Sequence, residues 1–178
     1  MIDYHPASGY SHPGYTLDSH DTLRVSPALT AATSSAAWPA ANLAIYVPFV
    51  LERAVTVTEV WVETGSLTTS NGIEIGCYDT GGNRLFTQAM TITTASDTVT
   101  SSGMTDYVLP AGTYYMAMAC DGTRNFMAGA LSLAIYGGFG CVEQTGLTGA
   151  SLPSTWTPVA FTRSYLPLFG FSLQATAV

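Results

Sequence analysis

Three stretches of this chain, Arg53 to Thr64, Gly72 to Asp79 and Gly112 to Asp121, read as a run of alternating strands with a side-chain period of two. Only an extended strand converts that period into one buried face and one wet face. In Ala54-Val55-Thr56-Val57-Thr58-Glu59-Val60-Trp61-Val62-Glu63 the period holds for most of the segment. Further strand signals follow from Ala44 to Val50, Arg84 to Thr93, Thr105 to Leu109, Thr113 to Asp121, Ala130 to Tyr136, Thr157 to Phe161 and Tyr165 to Leu173. Asp79-Thr80-Gly81-Gly82-Asn83 and Leu109-Pro110-Ala111-Gly112 supply turn residues between them. The spacing predicts an all-β chain, an antiparallel β-sandwich of jelly-roll-like type.

With 178 residues, 47% of them apolar and 10% charged, the chain can bury one sizeable core. All five basic residues are arginines (Arg24, Arg53, Arg84, Arg124, Arg163), set against twelve acidic ones for a net charge of -7. Such a surface repels phosphate, so no nucleic-acid partner is expected. A mean hydropathy of +0.26 leaves little polar surface for a solitary monomer and predicts a homo-oligomer. The first residues lack the basic and apolar run of a secretory signal, and no stretch is apolar and long enough to span a bilayer. Export by the usual route and membrane association are not expected.

Residues 1–43 read as an extended N-terminal anchoring arm with a linker, and 44–178 as the sandwich domain. Tyr4, His5, Tyr10, His12, Tyr15 and Arg24 make the arm a candidate partner-binding segment, because aromatic rings among Pro, Ser and Gly dock on surfaces rather than fold alone. Ser26 to Asn42 reads as a Ser/Thr/Ala/Pro linker. Fully stretched, about forty residues reach roughly 140 Å, enough to cross a neighbouring subunit. Gly137 to Ser154, rich in glycine, is predicted to be a long loop available for contacts.

Catalytic patterns are weak. His5, His12 and His20 are the three histidines, and their spacing does not bring them together with Asp18 or Asp21 as metal ligands. Glu59, Glu63, Glu74 and Asp79 lie on strands that could be neighbours, the minimum for a glycosidase, but a solvated face accounts for them more simply. There is no Gly-x-Ser-x-Gly and no phosphate-binding glycine motif. The Asp79 to Asn83 and Asp121 to Asn125 loops carry oxygens that could hold calcium, or form simple Asx turns. No other cofactor is suggested. Cys77 and Cys120 fall in apolar strand patterns and, with Cys141, read as buried free thiols, a Cys77 to Cys120 bridge remaining an alternative. Trp38 and Trp156, beside prolines in irregular sequence, are candidates for exposed glycan or subunit contacts; Trp38 could instead pin the linker to the domain.

Three segments together resemble the small jelly-roll modules of tailed-phage structural proteins: head fibres, capsid decoration proteins and tail-fibre tips. They are Gly72-Ile73-Glu74-Ile75-Gly76-Cys77-Tyr78-Asp79 leading into Gly81-Gly82-Asn83-Arg84-Leu85, then Leu109-Pro110-Ala111-Gly112-Thr113-Tyr114-Tyr115-Met116-Ala117, and Tyr165-Leu166-Pro167-Leu168-Phe169-Gly170. The resemblance implies a non-enzymatic virion component, commonly trimeric, made in the bacterial host cytoplasm and displayed on the virion surface. Its N-terminal arm would grip other virion proteins, the major capsid protein first among them. With neither a heptad stretch nor a repeating shaft, the chain fits a capsid decoration or cement protein better than a long fibre. The alternative is a receptor-binding tail-fibre tip recognising host surface glycans.

Overall fold

The computed structural model describes residues 14–17, 22–26, 33–66, 71–130 and 138–175, which form fifteen β-strands. The first sheet runs β1 (Gly14–Leu17), β2 (Thr22–Ser26), β15 (Phe169–Ala175), β5 (Val55–Glu63) and β8 (Thr98–Thr100), with β9 (Tyr107–Leu109) also paired to β5. The second runs β13 (Val159–Ala160), β12 (Val142–Gln144), β4 (Leu43–Leu51), β10 (Gly112–Cys120), β6 (Asn71–Asp79) and β7 (Arg84–Ile92). A small third sheet orders β14 (Tyr165–Pro167), β11 (Asn125–Ala130) and β3 (Thr33–Ala37). Every pairing between these strands is antiparallel.

The sandwich follows from the period-two pattern. In β4, Leu43, Ile45, Val47, Phe49 and Leu51 enter the main core, where they meet Val55, Val57, Val60 and Val62 of β5 and Phe169, Phe171 and Leu173 of β15. Phe171 bridges the two sheets: its ring lies 6.0 Å from that of Phe49 and 5.2 Å from that of Phe86. Two alternating faces from two sheets thus interdigitate into one core. The step from Val57 to Val60 breaks the period because β15 shifts register between Ser172 and Leu173, skipping Thr58. That bulge keeps both halves of β5 facing inward.

The leader is built differently from the expected arm and linker. β1 forms a hairpin-like pair with β2, and β2 adds to β15 through Gly170↔Arg24, Phe171↔Leu23 and Ser172↔Thr22. Within the expected linker, β3 pairs with β11 from Asn125↔Ala37 to Gly129↔Thr33, and the Trp38 N–H donates to the Arg124 carbonyl at 2.7 Å. The cause is the accounting of backbone groups: β15 and β11 would otherwise be left with an unpaired edge. β2 and β3 thus each pair with a strand that lies beyond residue 43.

Several short elements lie outside the predicted pattern. β12 falls inside the stretch expected to be a long loop, and pairs with β4. The strand expected from Ala130 to Tyr136 lies mostly outside the described residues, while β11 precedes it. Between β8 and β9 the chain turns through the exposed Ser102 and Gly103, the latter at φ 74° with nothing within 4 Å of where a Cβ would stand.

Candidate functional site

The second sheet covers both of its faces. Alternate residues of β4, β10 and β6 point away from the main core, and there Ala44, Tyr46, Tyr78, Ala117 and Ala119 form a second buried cluster with Leu147 and Leu152. The chain from Gln144 to Thr157 folds down over this face, with Trp156 and Tyr115 half-buried at its margin. The Trp156 ring is stacked over Tyr78 at 6.1 Å and meets Tyr46 and Tyr115 edge-on at 5.0 and 4.5 Å. Such offset and edge-on contacts are favourable beyond the area they bury.

Polar groups fasten this covering segment. Tyr46 Oη donates to Gln144 Oε1 at 3.1 Å, and Tyr78 Oη to the Pro153 carbonyl at 2.5 Å. Burial raises both phenols, Tyr46 to about 12, since a phenolate there would lose its hydration. Glu74 and Arg84 hold the two backbone groups of one residue, Glu74 Oε2 accepting from the Leu152 N–H and Arg84 Nη1 donating to the Leu152 carbonyl. The Arg84 N–H donates to the Ser154 carbonyl at 2.9 Å, and the Trp156 N–H to the Gly82 carbonyl at 3.0 Å.

Other charged groups are spent the same way. Glu143, 3% exposed, accepts from Arg163 Nε and Nη2 at 3.0 and 3.1 Å and from the Thr162 hydroxyl and N–H at 2.9 and 3.2 Å. Arg124 is fully buried and donates to the Ile92 carbonyl at 2.7 Å and to the Thr94 carbonyl, tying the end of β7 to the start of β11. Asp79 accepts from the Asn83 N–H at 2.8 Å and from its carboxamide, contacts that hold its carboxyl below the usual range. The loop is an Asx turn with both carboxylate oxygens engaged. Asp121 accepts from the Gly72 N–H at 3.2 Å. Among the described residues no three His, Cys, Asp or Glu side chains gather as metal ligands.

The sequence candidates are dispersed. Tyr4, His5, Tyr10 and His12 lie outside the described residues; Tyr15 and Arg24 are positions in β1 and β2, opposite Val25 and Thr16 respectively. Trp38 is not an exposed contact: it is 1% exposed and packs edge-on against Phe126 at 5.7 Å, carried inward by the β3–β11 pairing. Trp156 is half-buried, so a margin of its ring meets solvent. Glu59 and Glu63 belong to the first sheet and Glu74 and Asp79 to the second, so the sandwich separates the two pairs. Cys77, Cys120 and Cys141 are free and buried. Cys77 lies opposite Met116 and Cys120 opposite Ile73, four positions further along the ladder. That offset is about 13 Å, beyond disulfide reach.

One feature was not signalled by any motif. β7 is nine residues long and ends the second sheet, with β6 as its single strand neighbour among the described residues. The other edges among the described residues, β1, β3, β8, β9, β13 and β14, are two to five residues long. Sheets blunt a long edge with Lys, Pro or inward charge, yet Leu85 to Ile92 carries none of these. The neighbouring outer surface is a shallow groove of about 380 Å³ lined by Gly72, Glu74, Ala89, Thr91, Ala150 and Ser151. Comparison of the chain with protein-family models, curated proteins and solved structures returns no match.

Proposed function

We propose that the chain is a non-enzymatic display and assembly module of a tailed-phage virion, a capsid decoration or cement protein that binds other virion proteins and is itself oligomeric. The observation that carries this reading is the use made of its few charged side chains. Glu74, Arg84, Arg124, Glu143 and Arg163 all hold loops or strand ends of the same chain in place. A rigid, charge-poor sandwich suits a part that must persist on a particle surface and be joined by apolar and backbone contacts. On this reading residues 1–13, which precede β1 and include Tyr4, His5, Tyr10 and His12, are the segment that grips the particle.

Quantitative mass spectrometry of purified particles from the host that makes the chain tests the reading. Capsid decoration corresponds to hundreds of copies per particle, an order of magnitude more than a tail tip. A chain lacking residues 2–13 should melt as the full chain does yet fail to coat stripped particles. Absence of the protein from washed particles overturns the proposal.

A second reading, recognition of host glycans, is favoured by one pair. Trp156 and Tyr115 are both half-buried, 4.5 Å apart, and offer a partly open aromatic margin on which a sugar face can stack. Glycan-array binding that is lost in Tyr115→Ala, with unchanged melting, would select it over decoration.

A further inference from the structure

We propose that β7 pairs antiparallel with β7 of a second copy of this chain, in a register centred on Gln88, so that two sandwiches share one continuous sheet. The pairing rests on the edge itself and stands apart from the virion reading.

An unpaired strand edge is a row of N–H and C=O groups ready to bond with another strand. At its first end β7 is already closed: the Arg84 N–H reaches Ser154, and Asn83 bridges Thr155. From Leu85 to Thr91 the second side of the strand has no strand neighbour among the described residues. The side chains along it are Leu, Phe, Thr, Gln, Ala, Met and Thr, without a charge. In this stretch the Gln88 carboxamide donates to the Ala89 carbonyl at 3.1 Å, engaging an acceptor of the strand's own backbone.

The choice of occupant follows from self-complementarity. In a chain of net charge -7, most surfaces repel their own copy, but β7 carries its single charge at Arg84, at the outermost position. Antiparallel pairing about Gln88 sets Phe86 opposite Met90, Thr87 opposite Ala89 and Gln88 opposite Gln88. Phe86 and Met90 both pack at the rim of the main core, so each copy extends the other's apolar layer with a sulfur–aromatic pair. Small Thr and Ala side chains face each other on the outer side. A two-fold axis makes the contact isologous and closed, so it ends at a dimer instead of growing into a fibre.

Light scattering on the eluted full chain should give a dimer at micromolar to submillimolar concentration. Hydrogen exchange should show amides of Leu85 to Thr91 protected at high concentration and released on dilution. Gln88→Lys and Gln88→Glu each place like charges across the axis and should raise the dissociation constant by about tenfold or more. Mixing the two variants pairs Lys with Glu and should restore the dimer. Unchanged circular dichroism and melting of each variant show that folding is not the cause. A wild-type chain that stays monomeric throughout, a dimer indifferent to both variants, or a mixture that fails to recover overturns the proposal. Protection of Leu85 to Thr91 that appears only with a different protein assigns the edge to that partner and overturns it too.

Discussion

The Trp156 indole occupies the space that a Cβ on Gly82 would fill, while Gly82 itself sits at φ 83°. The glycine is needed twice, once for its backbone angle and once so that the indole can close over Tyr46 and Tyr78. Gly82→Ala should therefore cost about 2–4 kcal/mol, the sum of left-handed strain and displacement of the ring. Gly103→Ala is the control: its φ is 74° but nothing stands near its Cβ, so strain alone of about 1 kcal/mol is expected. Urea unfolding of the two variants measures the difference, and equal losses would show that Trp156 simply moves aside.

The Glu143–Arg163 pair is lopsided in exposure, 3% for the carboxylate against 28% for the guanidinium. Arg163→Leu leaves a buried carboxylate without its cation and should destabilise by about 3 kcal/mol. Adding Glu143→Leu removes the stranded charge, so the double variant should lose less than the two single losses summed. A double-mutant cycle by chemical denaturation reads the coupling, and strict additivity would contradict the geometry.

Trp38 tests whether the leader is part of the module. Being 1% exposed and set against Phe126, its truncation in Trp38→Ala should cost about 3–5 kcal/mol. A linker tryptophan would cost almost nothing, and calorimetric melting distinguishes the two outcomes.

Alkaline pH should unfold the protein cooperatively. Burial pushes Cys120 up to about 11 and Cys141 up to about 12 from an ordinary 9.0, and Tyr46 up to about 12 from 10.0. In that window the unfolded chain has released protons that the folded chain keeps, so stability is intact below about pH 9 and falls as pH rises through 11 to 12. The combined loss is on the order of a few kcal/mol. Guanidinium midpoints at about pH 8 and about pH 10.5 should differ in that direction; a flat profile would mean that these groups are solvated.

The long strands β4, β5, β6, β7 and β10 were legible in the sequence because each is nine residues long and carries apolar side chains at most alternate positions or more densely. β3 was not: Thr33-Ser34-Ser35-Ala36-Ala37 has a linker's composition, and it is a strand because β11 needs a neighbour, which is information from another part of the chain. β12 is hidden for the same reason, three residues recruited by β4 inside a glycine-rich stretch. Nothing local in the sequence marks Arg124 and Glu143 as buried, since the carbonyls of Ile92 and Thr94 and the cation of Arg163 that meet them come from distant positions. For Trp38 and Trp156, adjacent prolines suggested exposure for both; Phe126 covers one, and the Tyr46, Tyr78 and Tyr115 rings cover much of the other.

The exposed turn at Ser102 and Gly103 contrasts with the segment from Gln144 to Thr157, which is riveted to the sheet at Gln144, Leu152, Ser154 and Trp156. A foreign peptide spliced into the first would hang clear of the scaffold with both of its ends anchored in the first sheet, whereas in the second it would pry off the lid of an aromatic vault. Cargo carried by this molecule belongs at Gly103.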